Sequence, residues 1–389
     1  MQRVRAAAPY LAGLTPYDPK YLPARIYLNA NESPYGLPPG VEQELAQAVA
    51  TQVFHRYPDP LAKGLRSQIA AMNSVEDDNV LLGNGGDELL FDIMLAYGGP
   101  GRALLTAPPS FSSYDLDAKL TGTRIVEVPR MRRTTPTYEL GIDQQALLAR
   151  VARGDIDVVM IASPNNPTGD ALDEDFVLAL LDASDTLVLI DQAYIEFADR
   201  RFDMTRHLAD HKNLILLRTF SKAWALAGIR LGYLLGSPEV INELCKVRQP
   251  YSVDTFSVLA GRAVLAAARE IEARAQEAVA ERQRVFAALH DLHDLMVFAS
   301  WANFILFEVE GAHGIWQRLY DEQGILLRDF SAAPGLTNCL RVSIGTPAEN
   351  DEFLAALRGL MDAAVPLATA ETAPPPSVRT TAQTTGALS

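Results

Sequence analysis

Three stretches in the middle of the chain, "DVVMIASPNNPTG", "TLVLIDQAYIEF" and "NLILLRTFSKAW", constrain the fold more than anything else in it. Each is an unbroken apolar run of strand length that stops at a polar turn, and the segments between them are read as helical. Unbroken runs mean strands buried on both faces, and strands that alternate with helices build parallel sheets. "NVLLGNGG" and "RALLTAPPSF" carry the same pattern upstream. The expectation is an α/β chain whose large domain holds a mostly parallel sheet covered by helices on both faces. In such sheets functional groups gather beyond the carboxyl ends of the strands.

A chain of 389 residues has room for a second domain. Residues 1–32 read as an N-terminal arm ending in the turn-rich "YLNANESPYGLPPG", and 33–253 as the large domain. Past Pro250 the pattern changes: from about 254 to 290 there is no proline and one glycine, which reads as one long helix or two abutting ones. "ANFILFEV", "GILLRDF" and "LRVSIGT" then alternate with helices, so 254–365 is expected to join an inter-domain helix to a smaller α/β domain. The Pro/Thr/Ala-rich 366–389 reads as a disordered tail. A net charge of −14 argues against nucleic acid as a partner and demands local arginines if the ligand is an anion. Two cysteines indicate no disulfide framework, and no apolar run reaches membrane-spanning length, so a cytoplasmic location is expected.

Four strand ends carry unusual chemistry. In "GNGGDELLF", Gly85, Gly86 and Asp87 open a helix, where backbone N–H groups and the helix dipole favour phosphate. "SPNNPTG" is a proline-locked turn displaying Asn165 and Asn166, either a rigid turn or an amide aimed at a ligand. Asp191 ends a strand three residues before Tyr194 and could be a metal ligand, a cap or a counter-ion. Metal is disfavoured, since no second ligand lies nearby and the histidine pairs 207/211 and 290/293 lack a third. Lys222 follows the third run amid Trp224, Leu226 and Ile229; a lysine desolvated in this way can be a neutral nucleophile. Together these groups suit pyridoxal 5′-phosphate. Its ring nitrogen needs an anion (Asp191), its phenolic oxygen needs donors (Asn166, Tyr194), its phosphate needs Ser221, Arg230 and backbone amides, and its aldehyde needs Lys222.

"YLNANESPYG", "RYPDP", "GNGGDELL", "APPSFSSY", "SPNNPTG", "IDQAYIEF", "RTFSKAWALAGIRLGY", "GILLRDF" and "LRVSIGT" occur in the order that marks one family. To about residue 362 the chain resembles the fold-type I, pyridoxal-phosphate-dependent aminotransferases, and among them the histidinol-phosphate aminotransferases. The resemblance implies Lys222 as the covalent anchor of the cofactor, Asp191 as partner of the ring nitrogen, and Asn166 and Tyr194 at its phenolic oxygen. It places Ser221, Arg230 and the backbone of Gly86 and Asp87 at the phosphate, with Tyr57 reaching that phosphate from a neighbouring subunit of a homodimer. Phe111 aligns with the ring-stacking aromatic, commonly tyrosine; Arg341 and Arg328 align with substrate arginines, and Asn31 and Tyr35 fall among the substrate-side residues. Gln192 stands where glutamate is usual, and "SKAWALAG" replaces the commoner "SKAFGLAG". The partners implied are small molecules, an amino donor and a 2-oxo acid. Transamination of histidinol phosphate with 2-oxoglutarate is the first expectation, an aromatic or other amino-acid aminotransferase the alternative, and a decarboxylase of threonine phosphate a third. A regulator built on the same domain would need a DNA-binding segment that residues 1–30 are too short to form.

Overall fold

The computed structural model describes residues 5, 11, 14, 22–134 and 137–362. The proposed tail and most of the proposed arm lie outside them.

The apolar runs form strands Val158–Ala162, Leu187–Asp191 and Leu214–Thr219, every residue of which is buried. Successive side chains enter opposite cores. Val159, Ile161, Val188 and Ile190 join one, and Val158, Met160, Leu187 and Leu189 join the other. This is the two-faced burial that continuous apolar strands require. The seven-stranded sheet is completed by Val80–Gly83, Ala103–Thr106, Arg124–Glu127 and Gly232–Gly236. Only Gly232–Gly236 runs antiparallel to its neighbours. It wedges between Val80–Gly83 and Leu214–Thr219, where a Cβ on Gly232 would lie 2.9 Å from the Gly85 carbonyl carbon. Glycine is required there by the close passage of the turn at Gly85. The connection from Asp191 to Leu214 differs from the helix expected of it. It contains only short 3-10 turns at Ile195–Phe197, Arg200–Phe202 and Thr205–His207.

The segment after Pro250 is two helices, Thr255–Ala266 and Ala268–His290, broken at Ala267 (φ −97°, ψ 21°). A second, five-stranded sheet follows, containing Phe304–Val309, Ile325–Asp329 and Cys339–Ser343. Its outer strand is Ile26–Leu28, paired parallel to Ile325–Asp329 in the register Ile26↔Ile325. The end of the supposed arm is therefore an edge strand of the small sheet. Ile26 and Leu28 are buried in that sheet's core, and the exposed Tyr27 between them gives the alternation of a strand with one solvated face. No helix among the described residues is long and apolar enough to cross a membrane.

Candidate active site

A cavity of about 440 Å³ opens where the carboxyl ends of the parallel strands meet the small sheet. Asp191, the last residue of its strand and 6% exposed, forms part of its wall. Its Oδ1 accepts the Ala193 N–H at 3.0 Å and its Oδ2 accepts the Tyr114 hydroxyl at 2.7 Å. Burial raises its pKa to about 6 against the pull of both donors. Tyr194 is buried beside it, edge-on to Phe304, and its hydroxyl accepts from Asn31 Nδ2 at 3.0 Å. Of the two asparagines in the proline-locked turn, only Asn166 faces the cavity. Asn165 is sealed inside, donating to Pro109 O (3.1 Å) and Thr168 Oγ1 (2.6 Å), and it holds the turn together.

Lys222 is half-buried, its Nζ donating to the Ala30 carbonyl at 2.9 Å and lying 5.9 Å from the Tyr194 ring centroid. Desolvation first, then the positive charges of Arg341 and Arg230, lower its pKa to about 8, while Glu32 and Asp87 oppose the shift. Close by begins the helix Gly85–Tyr97, with Gly86 and Asp87 on the cavity wall. Arg230, left-handed at φ 57°, reaches back to this helix end. Its Nη2 donates to Asp87 Oδ2 at 2.9 Å, and its Nη1 approaches Ser221 Oγ at 3.5 Å. A Cβ on Gly85 would come within 2.7 Å of Arg230 Nη2, so the guanidinium lies directly over the glycine turn. An arginine, a hydroxyl and a helix N-terminus on one wall form an anion cradle.

The small sheet supplies the opposite side. Arg328 and Arg341 are cross-strand partners on Ile325–Asp329 and Cys339–Ser343, so both point to the same face. Arg341 is buried over the Phe304 and Phe330 rings and donates to Asn166 Oδ1 and to the Asn29 carbonyl. Arg328 lies 5.7 Å from the Phe330 centroid and forms no ion pair among the described residues. Asn31, buried with φ 54°, ties the two sheets together. Besides Tyr194, it receives the Ser343 hydroxyl on Oδ1 at 3.0 Å and gives its own N–H to Ser343 Oγ.

Of the residues expected here, Phe111, Asn31, Gly86, Asp87, Asn166, Asp191, Tyr194, Ser221, Lys222, Arg230, Arg328 and Arg341 all line the one cavity. Tyr35 does not. Ser33 Oγ bonds both its N–H and its carbonyl, and this turn sends the ring toward Arg274, 5.7 Å away at a separate small hollow. Tyr57 is 80% exposed, stacks on Tyr251 with centroids 4.5 Å apart, and stands outside its own chain's cavity. Gln192 points away from Asp191, accepting from Arg218 and donating to the Phe202 carbonyl, so the missing glutamate removes no charge from the cavity wall. Tyr114 was not singled out from the sequence, although its place three residues after Phe111 at the start of the helix Ser113–Thr121 puts the two rings in contact (5.8 Å, edge-on).

Comparison with known proteins identifies the family of the chain. The model of the family "Aminotransferase class I and II" matches residues 24–357. Histidinol-phosphate aminotransferase 1 of Carboxydothermus hydrogenoformans is 40% identical over 91% of this chain and 98% of its own. Histidinol-phosphate aminotransferase of Desulfitobacterium hafniense is 35% identical over 90% and 95%. The crystal structure of histidinol-phosphate aminotransferase from Sinorhizobium meliloti in complex with pyridoxal-5′-phosphate superposes with a TM-score of 0.82 at 27% identity, covering 93% of this chain and 99% of that one. A lysine in the loop after Leu214–Thr219, a buried strand-end aspartate and an arginine over a helix N-terminus thus sit in a chain that belongs to the class I and II aminotransferases.

Proposed function

We propose that this chain is a pyridoxal 5′-phosphate-dependent transaminase that moves the amino group of L-histidinol phosphate to 2-oxoglutarate, giving imidazole-acetol phosphate and glutamate in histidine biosynthesis, and that it works as a cytoplasmic homodimer. The donor set fits the cofactor. The wall holds one carboxylate for a ring N–H, one amine of lowered pKa for an aldehyde, and one anion cradle for a phosphate. When bound, the cofactor supplies an electron sink for the carbon that loses its proton. The protein's own groups do the rest. Lys222 would anchor the cofactor and serve as the base that moves the proton, and Asp191 would hold the ring-nitrogen proton. Asn166 and Tyr194 flank the phenolic oxygen, while Ser221, Arg230 and the Gly86 and Asp87 amides take the phosphate. Phe111, on the cavity wall, would lie against the ring, keeping the stacking but not the hydroxyl of the usual tyrosine.

The observation that carries the substrate reading is the 40% identity, over 91% of this chain, to a histidinol-phosphate aminotransferase, and the cross-strand pair Arg328–Arg341 is compatible with it. Histidinol phosphate has no α-carboxylate, so its phosphate must use the place where glutamate puts its carboxylate, and a guanidinium fork serves either anion. The test is kcat/KM for histidinol phosphate, glutamate and phenylalanine in wild type, Arg341→Ala and Arg328→Ala. Arg341→Ala is expected to weaken both half-reactions, each by roughly 1.5–3 kcal/mol for a lost charge-assisted bond. Arg328→Ala is expected to hurt the phosphate substrate more, since that dianion offers more acceptors. If phenylalanine is the best donor and neither variant affects histidinol phosphate, an aromatic aminotransferase replaces this reading.

A further inference from the structure

We propose that Tyr114 is a positioning residue that acts through Asp191: its hydroxyl fixes one carboxylate oxygen and keeps Asp191 a weak enough base that the proton it shares with the cofactor's ring nitrogen stays on the ring. This rests on the reading of the cavity as a pyridoxal-phosphate site.

The geometry is specific. Tyr114 is fully buried at the start of the helix Ser113–Thr121, and its ring is held edge-on against Phe111. Its hydroxyl makes one hydrogen bond, the 2.7 Å donation to Asp191 Oδ2. The hydroxyl does not reach the cavity, so whatever it does there passes through the carboxylate. Asp191 Oδ1 is committed to the Ala193 N–H. Both oxygens are therefore oriented by a donor, and the carboxylate cannot rotate without losing one bond.

The charge balance makes that bond consequential. Burial pushes Asp191 toward the neutral acid and Asp87 adds to this, while the Tyr114 and Ala193 donations and the Lys222 charge favour the carboxylate. Around Tyr114 itself, burial and the charges of Asp191 and Tyr194 raise the phenol's pKa well above its ordinary value, with Arg130 opposing. The phenol therefore remains a proton donor throughout the working pH range. A carboxylate deprived of it keeps only one protein donor, becomes more basic, and draws the shared proton off the ring nitrogen. A neutral ring is the poorer electron sink. A tyrosine that merely filled the core would leave that proton where it was.

The substitution Tyr114→Phe removes one oxygen and leaves the ring packing in place. In the cofactor-free protein, the Asp191 carboxyl is titrated by carbon-13 NMR, with its resonance assigned by Asp191→Asn. Its midpoint is expected to rise by about one pH unit or more in Tyr114→Phe. In the holoenzyme with nitrogen-15-labelled pyridoxal phosphate, the ring-nitrogen resonance is expected to move from the protonated toward the unprotonated position. Placing 3-fluorotyrosine, a stronger donor, at 114 guards against a folding defect in the Phe variant and is expected to move the Asp191 midpoint down. Unchanged midpoints in both variants would overturn the proposal, and so would an unmoved ring-nitrogen resonance. Failure of the wild type to bind the cofactor would defeat the functional reading instead, and the cofactor-free titration would still decide whether Tyr114 governs Asp191.

Discussion

At the scale of single residues, the proposed chemistry depends on Lys222. Its ordinary pKa of 10.5 would leave about one amine in a thousand neutral at pH 7.5, whereas a pKa of about 8 leaves roughly a quarter. Covalent capture of pyridoxal phosphate by the apoprotein is therefore expected to speed up as pH rises to about 8 and then level off. A stopped-flow absorbance series across pH measures this, and a rate still climbing steeply at pH 9.5 would refute the lowered pKa. Arg341 is the largest charge effect behind the shift, and it lowers the pKa. Removing it lets the ammonium persist, so Arg341→Ala should raise the midpoint and slow capture at pH 7.5. Lys222→Ala is expected to bind the cofactor without a covalent bond and to lose turnover by about 10²–10⁴-fold or more, as removal of a general base implies; near wild-type steady-state activity would exclude its role. The placing of Lys222, Asp191 and Asn166 at one cavity was legible in the sequence because each lies at, or within four residues of, the end of a continuous apolar strand. Tyr35 stands outside its own chain's cavity because a local Ser33 turn, not a strand, aims it. Asn165 and Asn166 could not be separated in advance, since only the folded turn decides which amide faces inward.

At the scale of elements, the loop carrying Lys222 departs from its family pattern in two adjacent residues, and the structure relates them. Ala225 occupies the position of the usual glycine and is left-handed at φ 55°, a conformation that costs a non-glycine residue roughly 1–2 kcal/mol. Trp224, where phenylalanine is usual, donates its indole N–H to Glu196 Oε1 at 3.0 Å. The other carboxylate oxygen, Oε2, is buried without a hydrogen-bond partner among the described residues. Trp224 thus pins the strained Lys222 loop to the turn that follows Tyr194. Ala225→Gly should stabilise the protein by about 0.5–1 kcal/mol, the relief of strain less the extra freedom of the unfolded glycine chain. Trp224→Phe should cost about 1–3 kcal/mol, because it leaves the sunken carboxylate with no indole partner. Denaturant midpoints of both variants and of the double variant measure this, and a stabilising Trp224→Phe would refute the strut. Among the elements, the buried parallel strands were legible because their composition admits no solvated face. The antiparallel direction of Gly232–Gly236 and the edge strand Ile26–Leu28 were not, since three to five residues carry too little periodicity to reveal a strand's direction or its partner, which for Ile26 is as distant as Ile325.

At the scale of the whole molecule, the cavity joins two sheets. The large one provides Asp191, Lys222 and the anion cradle, and the small one provides the two arginines. A chain with a net charge of −14 nonetheless gathers Arg230, Arg328 and Arg341 around one cavity, a local concentration of positive charge suited to an anion. Outside the cavity lies an aromatic surface that one chain leaves uncovered. Phe54 is 55% exposed and stacks on Phe256, and Tyr57 is 80% exposed and stacks on Tyr251. Exposed apolar rings gathered in this way mark an interaction face. A second copy related by a two-fold axis would cover it and carry Tyr57 toward the other chain's phosphate cradle. Complementation tests that arrangement. Lys222→Ala chains retain Tyr57 but cannot anchor the cofactor, and Tyr57→Phe chains retain Lys222 but lack the hydroxyl. In a mixed dimer the site on the Tyr57→Phe chain receives an intact Tyr57 from its neighbour, while the other site lacks both groups. Equal mixing with free exchange makes half the dimers mixed, so about a quarter of the wild-type number of complete sites should form. Activity is expected to rise toward that fraction above the sum of the separate variants as exchange proceeds. If exchange is demonstrated by mass spectrometry, the Tyr57→Phe chain alone is impaired, and no activity returns, then Tyr57 serves its own chain and the shared site is wrong.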